Sequence, residues 1–314
     1  MDRPRTGSLV ASEEGYWQLY RQAVQSLHDG LFQVAEDIFG QALQATRHPR
    51  LRQLRDRAYC NWAGVGVACG KAELDAPLSG LLGASSDLKA RQLAAHHLAH
   101  IYCIQHKARP SRLYAGMARR LAQTLGDRHG EAVSLNQLGL AWLAESRWRE
   151  ARQCLEQAAD MLAGIPQEPG LQLIRSTLIY VLSLAGSRRE AVRLLRDGAA
   201  APDLAGCPPL YASEMATNLA FACLELGELE AAISWGEAAL TACGEDTRPA
   251  GLGQCDPVDR YVHYAIGEAA AGLGEMDRAR WQFAELQRKY YPQLVELPDL
   301  LLAERTHAFV SWLA

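Results

Sequence analysis

Three side chains in the stretch AAHHLAHIYC fall on one helical face: His96, His100 and Cys103, at i, i+4 and i+7. Imidazoles and a thiolate at that spacing are donors of the kind that bind zinc. No carboxylate or second ligand cluster stands at a recognisable spacing, so no metal is expected. The competing reading is a packed Cys103 beside His97 and His100 lining a face. Nucleophilic catalysis by a Ser-His-Asp or Cys-His set would need residues brought together from separate segments, which one sequence does not display. The segment SGLLGASSDLK has glycines but lacks the preceding strand and the GK[ST] ending of a phosphate loop. No catalytic residue and no cofactor are expected, and the chain reads as a protein that is not an enzyme. RHPRLRQLRDR gathers Arg47, Arg50, Arg52, Arg55 and Arg57, which suits a phosphate or an acidic partner. Arg52 and Asp56 can pair along a helix, so a solvated edge is the alternative for this patch.

Composition narrows the partners. The 314 residues are 49% apolar, 22% charged and only 7% aromatic, a balance that favours helices over strands. With a formal net charge of -4 there is no global positive field to attract a polyphosphate backbone, so nucleic acid is not expected. The opening MDRPRTGSLVASEEG is polar and has no signal-peptide core, and no later segment is long and apolar enough for a membrane span. A cytoplasmic protein without a membrane partner is expected. The eight cysteines contain no CxxC pair. Most read as small buried apolar residues, with Cys207 and Cys255, in loops, the more exposed thiols.

The residues that face a ligand must be held by something, and the chain repeats itself. In NQLGLAWLAESRWREARQCLEQAA, one helical stripe carries Leu135, Leu138, Gly139 and Trp142, and the next carries Trp148, Ala151, Leu155 and Ala158. Two short amphipathic helices joined by a tight turn at Ser146 bury such stripes against each other. Gly139 and Ala151 mark the closest approach, where a larger side chain would overpack the pair. The same offsets recur at Gly30/Ala35/Phe39/Ala42, Gly186/Ala191/Leu195, Gly227/Ala232/Gly236/Ala239 and Gly274/Ala279/Phe283, the last with Gly267 at the small site of its first helix. Between residues 50 and 126 two weaker units are placed around Gly64 and Ala76, and around Cys103, Ala115 and Ala122. The spacing averages about 40 residues.

This pattern resembles the tetratricopeptide repeat (TPR), and the LGD break before residue 128 resembles the longer-period variety of bacterial regulators. HEAT-like repeats and an α/α-toroid enzyme fit less well. The resemblance implies an all-α, right-handed α-solenoid of about seven helical hairpins with a C-terminal capping helix. The expected organisation is a flexible tail over 1–12, a solenoid over 13–290 and a cap over 294–314, with Glu304, Arg305 and His307 on its polar side. IPQEPG at 165–170, residues 201–209 and residues 244–257 read as loops, and Asp256-Pro257 as an N-cap followed by proline at the first helical position.

In stacked repeats the free stripe of each first helix lines a concave groove. The register assigns to it Trp17, Tyr20 and Arg21; Asn61 and Trp62; His97, His100 and Ile104; Val133, Asn136, Gln137, Leu140 and Ala144; Ser176, Thr177 and Tyr180; Thr217, Asn218 and Phe221; and Tyr261, Tyr264 and Glu268. Amides exchange hydrogen bonds with a peptide backbone, and aromatic rings form pockets for its side chains. The expected binding set is Tyr20, Asn61, Trp62, His100, Asn136, Gln137, Leu140, Thr177, Tyr180, Asn218, Phe221 and Tyr264. The Lys/Asn clamp of family members that bind acidic tails is missing, because Tyr20 and Val24 stand in its place. The function expected is a non-catalytic scaffold or adaptor holding a protein or an extended peptide segment. The alternatives are a peptide-responsive regulatory subunit and a helical-hairpin enzyme with acids such as Glu214 and Glu268 in the groove. Residues 1–15 are too few for a DNA-binding domain, so such a regulator would act on a separate effector. A homo-oligomer is compatible with all three.

Overall fold

The computed structural model describes residues 12–68, 71–165, 169–196, 204, 207–243 and 258–304. Expectations for the tail before residue 12, Cys69, most of the loops at 201–209 and 244–257 with Cys255, the Asp256-Pro257 cap, and Arg305 and His307 lie outside them. Among the described residues there is no strand. The helices are α1 (Glu13–His28), α2 (Phe32–Ala45), α3 (Arg52–Ala68), α4 (Asp75–Ala84), α5 (Leu88–Ile104), α6 (Ala108–Leu125), α7 (Arg128–Ala144), α8 (Trp148–Leu162), α9 (Pro169–Leu184), α10 (Arg188–Arg196), α11 (Pro209–Leu226), α12 (Leu229–Cys243), α13 (Val258–Leu273), α14 (Met276–Tyr290) and α15 (Leu297–Glu304). The chain is all-α, and α1 to α14 follow one another as seven successive helix pairs. It divides into two compact units, one ending at Ala141 and the other beginning at Trp142.

Local chemistry explains the pairing. Each helix leaves carbonyls unbonded at its C-terminus, and a left-handed residue there lets following amides turn back to satisfy them. Gly126 does this after α6 (φ 66), its amide reaching Gln123 O and that of Asp127 reaching Ala122 O. Asp127 then caps α7 by accepting from Gly130 N at 2.9 Å, which is the physical content of the LGD break. Ser146 takes the same backbone without being glycine (φ 56), at the turn the repeat requires.

In the first unit, Ala23 on α1 and Ala35 on α2 are fully buried, with Phe39 and Ala42 beside them. The second and third pairs depart from the sequence register. Ala76 is exposed, and Leu78 and Leu82 carry the inner face of α4. In the third pair the left-handed residue is His106, which sets the small site at Ala99, four residues before Cys103. Ser111 takes the partner site and donates its hydroxyl to Ala99 O at 2.9 Å, with Ala115, Ala118 and Ala122 buried behind it. A polar residue at the contact hides this register, because most of the other pairs have alanine where this one has Ser111. Cys60 and Cys223 are buried thiols, whereas Cys103, Cys154 and Cys207 are half-buried.

In the second unit the close approaches are sharper. A β-carbon on Gly267 of α13 would run into the Phe283 ring of α14, and one on Gly236 would stand 2.5 Å from Ile266. Only glycine lets those backbones come so near. Ala191, Ala232, Ala239 and Ala279 are fully buried at the equivalent second-helix sites. Leu297 is buried on the end of this core, with Leu301 and Leu302 packed against it, so α15 covers apolar surface left by α14.

Candidate binding faces of the first helices

In the first unit α1 carries Tyr20, α3 carries Asn61 and Trp62, α5 carries His100, and α7 carries Asn136, Gln137 and Leu140. Tyr16, Trp17 and Tyr20 form an edge-on aromatic group (4.9 and 5.6 Å between centroids), and Tyr20 meets Phe39 at 6.0 Å. Asn61 on α3 donates to the Tyr16 hydroxyl at 3.3 Å, so part of its hydrogen-bonding capacity ties α3 to α1. Trp62 is half-buried and packs on the cores to either side.

On α5 the corrected register puts His96 and His97, with His100 one turn on, where α7 has Asn136, Gln137 and Leu140. His97 lies over Gly64, whose β-carbon would stand 2.5 Å from the imidazole Cε1. His96 Nδ1 and His97 Nε2 are shielded from solvent and have no hydrogen-bond partner. Burial lowers the pKa of all three histidines. It pulls His96 to about 4, with repulsion from nearby Lys89 and the neighbouring imidazoles disfavouring its proton further, and His97 well below its ordinary value. They are neutral at physiological pH. On α7, Asn136 Oδ1 and Gln137 Oε1 are likewise buried without a donor, and Leu140 is half-buried. Among the described residues no group of three His, Cys, Asp or Glu side chains gathers as metal ligands would.

The second unit treats its polar residues differently. Asn218 on α11 donates to Thr177 Oγ1 at 3.1 Å and Ser176 Oγ at 3.2 Å, both on α9. Thr177 in turn donates to Leu173 O at 3.0 Å. Tyr180, Phe221, Tyr264 and Phe283 form a ladder of rings 5.8, 6.5 and 6.4 Å apart through α9, α11, α13 and α14. Tyr264 is only 1% exposed and Phe221 8%, so both are core residues here and not open pocket walls. Burial, with Glu225 nearby, pushes the Tyr180 phenol up to about 12, so it stays a neutral donor. Two further residues share these faces. Glu214 on α11 is pushed up to about 7 by burial, and Gln172 Oε1 on α9 is buried without a donor. Gln172 escaped the sequence reading, though it stands one helical turn before Ser176.

Of the arginine patch, Arg47, Arg50, Arg52 and Arg55 are exposed. Arg57 is bidentate on Asp87 at 2.5 and 3.1 Å, and Asp56 accepts from Ser85. Within the described residues, no helix is long and apolar enough to cross a membrane.

No protein-family profile matches the sequence, and no curated protein matches it. Solved structures do. The chain is similar to NprR, solved in complex with its cognate peptide NprX, at 12% identity and a TM-score of 0.60, over 95% of this chain and 87% of that one. It is also similar to a tetratricopeptide repeat protein from Parabacteroides merdae, at 15% identity and a TM-score of 0.51, over 91% and 97%. The fold is therefore an all-α helical repeat of the tetratricopeptide type, shared with both of these solved structures.

Proposed function

We propose that the chain is a non-catalytic, cytoplasmic binding module whose first-helix faces take an extended peptide or a segment of a partner protein, as a scaffold or adaptor does. The observation that carries this reading is the pair of buried amide oxygens on α7, Asn136 Oδ1 and Gln137 Oε1, which lack donors. A buried acceptor without a donor is costly by about 1–3 kcal/mol, and an extended backbone brings N–H groups that relieve it. Leu140 on α7 itself, with Tyr20 on α1 and Trp62 on α3, supplies half-buried apolar surface for side chains of the ligand. A second reading, a peptide-responsive regulatory subunit acting on a separate effector, is favoured by the likeness to NprR with its cognate peptide.

The test is capture of the chain's ligand from its native cell, followed by calorimetric titration of the identified segment. Asn136→Ala is expected to weaken that titration by about 0.5–1.5 kcal/mol, the worth of one hydrogen bond, with an unchanged melting temperature. Equal affinity for the variant and the original chain overturns the assignment of α7.

A further inference from the structure

On α9 and α11 two contacts advance together: Asn218 meets Thr177, and three residues on Phe221 meets Tyr180. The two first helices therefore run parallel and in register. One turn back along each, at a common level, stand Gln172 (four before Ser176) and Glu214 (four before Asn218). Gln172 brings a buried amide oxygen that no donor reaches. Glu214 brings a half-buried carboxyl whose shift comes from burial alone, with neither a cation nor a hydrogen bond among its causes. Two acceptors at one level, without a donor to share, are complementary to a group that only donates and carries positive charge.

We propose that Gln172 and Glu214 form a subsite for a basic side chain of the bound peptide, a lysine ammonium or an arginine guanidinium. The inference rests on the peptide-binding reading above and names what the second unit selects. An apolar or acidic side chain at this level would leave both acceptors unsatisfied, and a neutral hydroxyl or amide would donate without balancing the Glu214 charge. A basic one satisfies both and holds the Glu214 charge that burial alone disfavours. Binding then releases a proton from Glu214, and affinity must rise with pH through the neutral range.

The experiment is selection of a phage-displayed random heptapeptide library on the full chain and on Glu214→Gln, followed by titration of the enriched peptides at pH 6 and pH 8. The expected result is enrichment of lysine or arginine at one fixed position, absent from peptides selected on Glu214→Gln. Enriched peptides should bind the original chain about ten-fold more tightly at pH 8 than at pH 6, the change in ionised fraction of a carboxyl titrating near 7. For Glu214→Gln that ratio should be close to one. Enriched peptides without a basic position, or a Glu214→Gln variant with the same selection and the same pH ratio, overturn the subsite and leave the binding module standing. Failure to enrich any peptide overturns both. The pH ratio of the original chain decides the matter even if the variant folds poorly.

Discussion

Two aromatic rings in this chain lie against the backbone of a glycine on a neighbouring helix, one in each unit. In the second unit Phe283 covers Gly267. In the first His97 covers Gly64, with the same close approach. The packing is alike and the chemistry is not. Phe283 ends an aromatic ladder and carries no polar atom, whereas His97 brings a buried Nε2 without a partner. The contrast extends along each row of first helices. Asn218 spends its amide on Ser176 and Thr177, while Asn136 and Gln137 hold oxygens that nothing satisfies. The repeat supplies the scaffold in both units, but the first keeps unsatisfied polar atoms on its helix faces where the second closes most of its own.

The sharpest way to break this comparison is to change the two rings. Phe283→Ala removes a large core side chain and should cost about 3–5 kcal/mol in unfolding free energy. His97→Phe keeps a ring over Gly64 and removes the orphaned nitrogen, so it should raise stability by about 1 kcal/mol, the smaller end of the penalty for an unmet polar group. Denaturant titration of both variants decides it. If His97→Phe is as damaging as Phe283→Ala, the imidazole has a structural partner and the two sites are equivalent after all.

A second contrast is electrostatic, and its signs are opposite. The folded pKa of His96 is about 4, below the 6.5 of an unperturbed imidazole. Above pH 6.5 it is neutral in both states. As pH falls from 6.5 towards 4 the unfolded chain takes up a proton that the folded one refuses, and stability is lost. Glu214 is raised to about 7 from 4.5. Its burial costs nothing below 4.5, where it is protonated in both states, and the penalty grows as pH rises from 4.5 through 7. Melting temperatures measured from pH 4 to 8 should thus respond in opposite directions. His96→Phe should flatten the acid limb, and Glu214→Gln should raise stability at pH 8 while leaving pH 4 unchanged. A Glu214→Gln variant with the original profile at pH 8 would mean that the carboxyl is already held by a partner.

Much of this architecture was legible in the sequence because small residues have few reasons to recur at fixed offsets other than close helix approach. Gly267 with Ala279, and Ala23 with Ala35, read true for that reason. The third pair did not, because Ser111 satisfies the same steric demand while also bonding Ala99 O. Anchoring on Cys103 places Ile104 on the face beside His97 and His100 and leaves out His96. Tyr264 illustrates a different limit. Its register position is that of a face residue, but burial depends on what neighbouring helices bring, and Phe221 and Phe283 enclose it. Helical periodicity assigns a direction to a side chain and leaves open whether another ring already occupies the space.

The smallest contrast separates the two asparagines. Asn218→Ala deletes two hydrogen bonds between α9 and α11, of which Thr177 and Ser176 are the buried acceptors. Each bond contributes about 0.5–1.5 kcal/mol, and both hydroxyls already donate to their own helix, so the expected loss is about 1–2 kcal/mol. Asn136→Ala deletes an oxygen with no donor and should leave stability unchanged or slightly higher. A double-mutant series with Thr177→Val tests the mechanism: once the Thr177 acceptor is gone, Asn218→Ala should cost less, because the shared bond is counted once. If the two asparagines cost the same in denaturant titration, then Asn136 is held as firmly as Asn218. The polar atoms of the first unit would then be structural, and no part of their cost would remain for a peptide to relieve.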